Sequence, residues 1–305
     1  MERTVVTPAR PADAAAVTEV VAALESTLYG RATISQADLE DEWSELDVAR
    51  DVRLVRDGDR IVGYALLRRR DEIWRAEGYV HPDVAGRGIG TLIASGLERD
   101  AARGGARALH NAVLEADRPA GRLLGSLGYR AVRVFREMRI ELDGTPRAPT
   151  WPAGLRVAAF DPERDAAAFH AAHQEAFADH WDHVPRDLAS WSRGYLESER
   201  FDPALWSVVR AGDEIAAGTV CAGATYGGGW IHALFTRRPW RKRGVGAALL
   251  QDAFARLWAH GERTVGLGVD TANATGALAL YARAGMEPVL GWVVYEKQLD
   301  DEHPA

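Results

Sequence analysis

Arg241-Lys242-Arg243-Gly244-Val245-Gly246-Ala247 stands between an apolar run, Trp230 to Phe235, and a segment whose apolar positions Leu249, Leu250, Ala253, Phe254 and Leu257 recur at helical spacing. A strand, a glycine turn and a helix start meet there. Two glycines allow a tight turn, and the unpaired N–H groups and dipole of a helix start favour an anion, with phosphate the natural ligand. A second copy, Gly86-Arg87-Gly88-Ile89-Gly90-Thr91, follows Gly78-Tyr79-Val80 and precedes Leu92, Ile93, Gly96 and Leu97. Gly88 stands to Gly244 as Ile93 stands to Leu249, 156 residues apart. Neither loop has the three-glycine frame of a dinucleotide fingerprint or the Gly-Lys-Ser/Thr of a P-loop.

The rest of the chain repeats with the same period. Val5-Val6, a helix carrying Val17, Val20, Val21, Leu24 and Leu28, and a hairpin turning at Asp57-Gly58-Asp59 lead to the strand Trp74–Val80 and the first loop. Beyond it come a strand over Ala108–Leu114, a helix over Ala120–Leu127 ended by Gly128, and closing strands to Ile140. In the second half a strand at Leu155–Ala158, a helix over Asp165–Phe177 and a hairpin turning at Ala211-Gly212-Asp213 lead to the key loop. Then follow a strand over Thr264–Asp270, a helix over Thr275–Ala284 ended by Gly285, and strands over Val289–Leu299. Gly128 and Gly285 are 157 apart, so this is an internal duplication. The linker is Pro-rich and aperiodic, which sets the expected domains at 1–142 and 154–305 with a linker at 143–153.

At 305 residues and 47% hydrophobic content the chain supports two cores. A net charge of −7 argues against a nucleic-acid partner and suits a cationic small molecule. The single cysteine, Cys221, forms no internal disulfide, and no apolar run reaches 18 residues, so the expected setting is the cytoplasm, without a membrane. No Cys/His cluster has zinc spacing, and no metal is expected; His180 and His183 read as part of a polar loop. A monomer or homodimer is expected.

The pattern Arg-x-x-Gly-x-Gly between strand and helix resembles the acyl-CoA pyrophosphate loop of the GNAT N-acetyltransferase superfamily. The duplication with a proline-rich linker is most similar to the mycothiol synthase group within it. The resemblance covers nearly the whole chain and implies an α/β fold of two tandem domains. Each domain would be a mixed, mostly antiparallel sheet flanked by helices, with two central strands splayed to admit the acyl-CoA. It implies acetyl-CoA as co-substrate, bound by Arg241, Lys242, Arg243, Gly244, Val245, Gly246 and Ala247 and by the splayed strand at Leu234, Phe235 and Thr236. A backbone N–H in Leu234 to Arg237 would hold the thioester oxygen.

The family pattern also has an asparagine and, eight residues on, a tyrosine near the CoA sulfur, matched by Asn273 and Tyr281. Tyrosine, with a pKa of about 10, can return a proton to a leaving thiolate whose thiol has a pKa of about 8.5. In the first half the corresponding positions are Ala85 for Arg241, Ala116 for Asn273 and Leu124 for Tyr281. That half keeps Arg87, Gly88 and Gly90 and reads as degenerate. Tyr281 is thus the expected acid and His232, alternating with Ile231 and Ala233, a candidate base. Asp179, Trp181 and Asp182 are candidates for holding an ammonium group. For each, a bland reading competes: Asn273 as a cap, Tyr281 as packing, Arg241 as a solvated charge, His232 as an ordinary sheet residue and Trp181 as core. The expected function is acetyl-CoA-dependent acetylation of a small-molecule primary amine by the C-terminal half, mycothiol synthesis being one such reaction. A non-catalytic acyl-CoA sensor is the alternative.

Overall fold

The protein is described here by a computed structural model covering residues 4–181, 183–273 and 275–299. In chain order the first repeat comprises β1 (Val5–Pro8), α1 (Ala14–Tyr29), α2 (Gln36–Ser44), α3 (Val48–Asp51), β2 (Val52–Asp57), β3 (Arg60–Arg68), β4 (Ile73–Val80), α4 (Ile89–Arg103), β5 (Ala108–Leu114), α5 (Arg118–Ser126) and β6 (Arg130–Glu141). The second comprises β7 (Leu155–Ala159), α6 (Pro162–Phe177), α7 (Leu188–Tyr195), β8 (Ser207–Ala211), β9 (Glu214–Thr225), β10 (Gly228–Thr236), α8 (Val245–His260), β11 (Thr264–Asp270), α9 (Ala277–Arg283) and β12 (Glu287–Gln298).

The chain divides into two compact units that do not follow this order at their closing strands. One is Met1–Arg136 with Leu290–Ala305; the other is Glu137–Val289. In the first unit the strands run β1-β2-β3-β4-β5-β12; in the second, β7-β8-β9-β10-β11-β6. Each unit is therefore closed by the last strand of the other repeat. Trp292–Gln298 pairs antiparallel with Ala108–Leu114 in the first unit. In the second, the Leu142 N–H donates to the Arg263 carbonyl at 2.7 Å and the Thr264 hydroxyl to Glu141 at 2.7 Å. The sequence boundaries at 142 and 154 assign both strands the other way. A linear reading of a duplication follows chain order, and backbone hydrogen bonds are under no obligation to.

Both units are mixed sheets: β4 with β5 and β10 with β11 are parallel pairs, each bridged by a helix, and the other pairings described are antiparallel. Side chains alternate across each strand, so the buried strands feed two cores. On β3, Tyr64 and Leu66 join Val17, Val21, Leu39 and Trp43, while Ala65 and Leu67 join Ile93, Leu97 and Leu124. In the second unit Phe160, Phe169, Trp191 and Trp206 form an aromatic nucleus with ring centroids 4.9–6.1 Å apart. Such pairs add roughly 0.5–1.5 kcal/mol each beyond burial. They fix α6 and α7 to β8, and so fix the loop between the two helices. Among the described residues no helix is long and apolar enough to cross a membrane.

Candidate active site

The second unit opens between β10 and β11. Their parallel register runs Gly229–Val265, Trp230–Gly266, Ile231–Leu267, whereas β10 continues to Thr236 and β11 to Asp270. The paired end is tight: a Cβ on Gly266 would lie 2.5 Å from the Trp230 ring, so only glycine admits that indole. Where the pairing stops, β10 carries a bulge, its register to β9 shifting between Ile231–Cys221 and Ala233–Val220. The extra residue is His232, exposed while Ile231 and Ala233 are buried. Bulges bend and twist a strand, which accounts for the parting at this point. In the first unit β4 pairs with β3 from Arg68–Arg75 to Gly63–Val80 without a shift.

Past the bulge, β10 uses one edge for β9, from Ala233–Val220 to Thr236–Ala217. The Arg237 N–H donates to Ala216 at 3.0 Å, so it is spent on β9 and is not the thioester donor that the span Leu234–Arg237 allowed. Alternation then turns the N–H groups of Leu234 and Thr236 away from β9, toward the gap. Phe235 instead packs at 5.1 Å from Phe169 and 5.6 Å from His173, a core position.

The glycine loop reaches α8 through two left-handed residues, Lys242 at φ +59° and Gly244 at φ +84°. Gly86 and Gly88 take the same conformations before α4, at +77° and +83°. A Cβ on Gly244 would meet nothing within 4 Å, so φ is what demands glycine there. Gly246 has a different role: a Cβ would press on Leu280 of α9 at 3.3 Å, as one on Gly90 would press on Leu123 of α5 at 3.1 Å. Val245 points into the core, while Lys242, Arg243 and Ala247 are exposed around the free first turn of α8. This backbone and its two cations fit the pyrophosphate of an acyl-CoA. In the first unit Arg87 is exposed, 3.7 Å from Asp57.

Arg241 lies elsewhere than the motif suggests. Its Nε donates to the Thr236 carbonyl and its Nη2 to the Ala176 carbonyl, both at 2.9 Å, with Asp179 at 3.9 Å. The guanidinium is thus occupied in holding the loop to β10 and α6. Asp179 is engaged in turn: Arg238 Nε donates to it at 3.1 Å, and that hydrogen bond holds its carboxyl below the usual range. It does not stand open to an ammonium group. Trp181 is half-buried in the same loop, and Asp182 lies outside the described residues. Asn273 accepts the Thr275 N–H on Oδ1 at 2.8 Å, an Asx turn ahead of α9.

Tyr281 on α9 is 7% exposed and packs in the cluster that contains Ala233, Phe235, Leu267 and Val269. Burial pushes its phenol up to about 12. Its first-unit counterpart, Leu124, is a buried apolar residue.

Two features escape the sequence reading. His173 is buried against Phe177 at 4.8 Å and Tyr195 at 6.2 Å, its Nδ1 has no hydrogen-bond partner among the described residues, and burial lowers it to about 4. His180 is lowered by burial and by Arg241, while Asp270 at the end of β11 opposes that shift. The signal was a polar residue at an apolar helix position, since His173 falls among Phe169, Ala172 and Ala176.

Comparison with known proteins agrees with this architecture. The model of the acetyltransferase (GNAT) family matches residues 18–129 and 166–286. The mycothiol acetyltransferase of Thermobispora bispora is 33% identical over 251 residues, 76% of this chain and 78% of that one. That of Streptomyces scabiei is 33% identical over 79% of this chain and 76% of its own. Among solved structures, a GCN5-related N-acetyltransferase from Sphaerobacter thermophilus has a TM-score of 0.86 at 32% identity, covering 100% of this chain and 98% of that one. A tandem GNAT protein from the clavulanic acid biosynthesis pathway shares the fold, with a TM-score of 0.78 at 17% identity over 99% of this chain and 100% of that one. With both repeats matched, this chain belongs to the GNAT acetyltransferase family and is an N-acetyltransferase with two tandem copies of that fold.

Proposed function

We propose that the protein transfers the acetyl group of acetyl-CoA to a small-molecule primary amine, and that the chemistry takes place in the second unit. The observation that carries this is the asymmetry at one position. Tyr281, a buried phenol, stands in the second unit where Leu124 stands in the first, and among the described residues β10 bulges against β9 at the mouth of its strand gap whereas β4 pairs with β3 without a shift.

Acetyl-CoA supplies a thioester whose carbonyl carbon accepts the amine and whose thiolate departs. The loop amides around Gly244, with Lys242 and Arg243, receive the pyrophosphate. The open edge of β10 receives the pantetheine, and the Leu234 and Thr236 N–H groups face the carbonyl oxygen as its charge grows. His232, exposed at the bulge, takes the amine proton directly or through water. Tyr281 donates to the sulfur. At about 12 its phenol stays protonated through the physiological range, so the donor is present when the C–S bond breaks. Asn273 braces the turn into α9 and thereby places Tyr281.

The relatives' shared name makes the amine whose acetylation yields mycothiol one candidate acceptor, beside amino sugars and other metabolite amines. The test is thiol release from acetyl-CoA across such a panel, with the acetylated product identified by mass. Turnover with at least one primary amine, well above hydrolysis, is expected. Tight CoA binding without transfer to any amine overturns the proposal in favour of an acyl-CoA sensor.

A further inference from the structure

The first unit, to which the reaction above assigns no chemistry, contains an open pocket of about 360 Å³ at the end of β5, between α5 and β12. Its floor is apolar. Val113 lies directly opposite Val293 in the β5–β12 register, and Tyr295 follows two residues on, on the same face. Its wall is α5 at Gly121, where a Cβ would stand 2.6 Å from the Tyr295 hydroxyl oxygen. Glycine there lets the Tyr295 phenol, one of the lining side chains, lie against the helix.

The rim is charged, and the charges are unequal in their commitments. Glu115 is held by Arg136, whose Nη2 donates to it at 2.9 Å, and Asp117 accepts the Ala120 N–H on Oδ1 at 3.0 Å. Arg118 and Arg122, one helical turn apart on α5, are exposed and make no ion pair among the described residues. The acids are used and the guanidiniums are available. Ligand cavities of small molecules run from roughly 300 Å³ upward, apolar with a few convergent polar groups, and this one lies at the small end of that range.

We propose that this cavity binds a small organic anion, a carboxylate or phosphate monoester on a compact apolar body. Arg118 and Arg122 hold the anionic group, the Tyr295 hydroxyl donates to it, and the body rests on Val113 and Val293. Leu123 of α5 meets the glycine loop at Gly90, so the titration below is made with CoA already bound, and what it reads is a ligand other than CoA. The inference does not depend on the reaction proposed for the second unit.

The test is calorimetric titration of the full-length protein, saturated with CoA, using phenyl phosphate, benzoate and phenol. Saturable binding of at least one of the two anions is expected, with phenol weaker by about tenfold or more, since it lacks the charge-assisted contacts. Preference for phenyl phosphate identifies a phosphate monoester, and preference for benzoate a carboxylate. The double variant Arg118→Gln/Arg122→Gln, at exposed positions that leave folding intact, weakens the anion by about tenfold or more. Gly121→Ala, which displaces the phenol, weakens it without touching a charge. Absence of saturable binding to about 10 mM, an affinity unchanged in the double variant, or phenol binding as well as the anions overturns the proposal.

Discussion

Arg241 donates from Nη2 to the Ala176 carbonyl at 2.9 Å, which ties the start of the glycine loop to the last turn of α6. The arginine of the motif therefore acts on the frame of the site. Removing it strands two carbonyls and loosens both elements. Arg241→Ala should cost about 1–3 kcal/mol of stability and raise KM for acetyl-CoA more than it lowers kcat. Thermal unfolding and steady-state kinetics check this together. Lost CoA binding at unchanged stability would instead place the guanidinium on the ligand.

Tyr281→Phe should lower kcat by about 10²-fold or more, while acetyl-CoA affinity and the melting temperature change little. Phenylalanine keeps the buried ring and deletes only the donor. Calorimetry and thiol release on the same preparation separate the two effects, and unchanged turnover would remove Tyr281 from the mechanism.

Gly244 and Gly88 share a left-handed backbone at the N-cap of a long helix, but the next helix carries Tyr281 in the second unit and Leu124 at the matching place in the first. Gly244→Val should abolish turnover, because a β-branched residue at that φ is strained by about 1–3 kcal/mol and its side chain enters the space the ligand needs. Gly88→Val should leave kcat within about twofold, with CoA stoichiometry reporting whether the first loop binds at all. A folded Gly88→Val protein without turnover would bring the first unit into catalysis.

The exchanged closing strands predict how the chain can be cut. A fragment ending at residue 142 lacks β12, and one beginning at 154 lacks β6 with its buried Met138. Each leaves a sheet edge unpaired and an apolar face open. Neither fragment should show a cooperative unfolding transition, and co-expression of the two should restore one. Independent cooperative folding of the 154–305 fragment would contradict this.

His173 makes stability depend on pH. Its folded pKa of about 4 lies below the ordinary value of 6.5, so the unfolded chain binds the proton more readily. Stability from this group is complete above about pH 6.5 and falls as pH drops toward 4, by about 3 kcal/mol at most. His173→Phe, matched to its aromatic surroundings, should flatten denaturant-measured stability across that window. An unchanged slope would assign the acid sensitivity to other groups.

The sequence by itself determined the duplication, the order of elements, the two glycine loops and the inequality of the halves at Leu124 and Tyr281. All of these rest on local signals: glycine at a left-handed turn, apolar spacing, proline in a linker. Even so, α2 and α7 were not legible, because a short helix such as Gln36–Ser44 buries only Asp38, Leu39 and Trp43 and leaves no clear period. Tertiary structure decided the rest. The partners of Arg241 and Asp179, the gap beyond Ile231–Leu267, the bulge at His232 and the exchange of β6 with β12 each depend on contacts between residues far apart in the chain. A guanidinium serves a phosphate or a carbonyl equally well, and a strand carries no mark of the edge it will pair with. Only packing fixes which neighbour arrives.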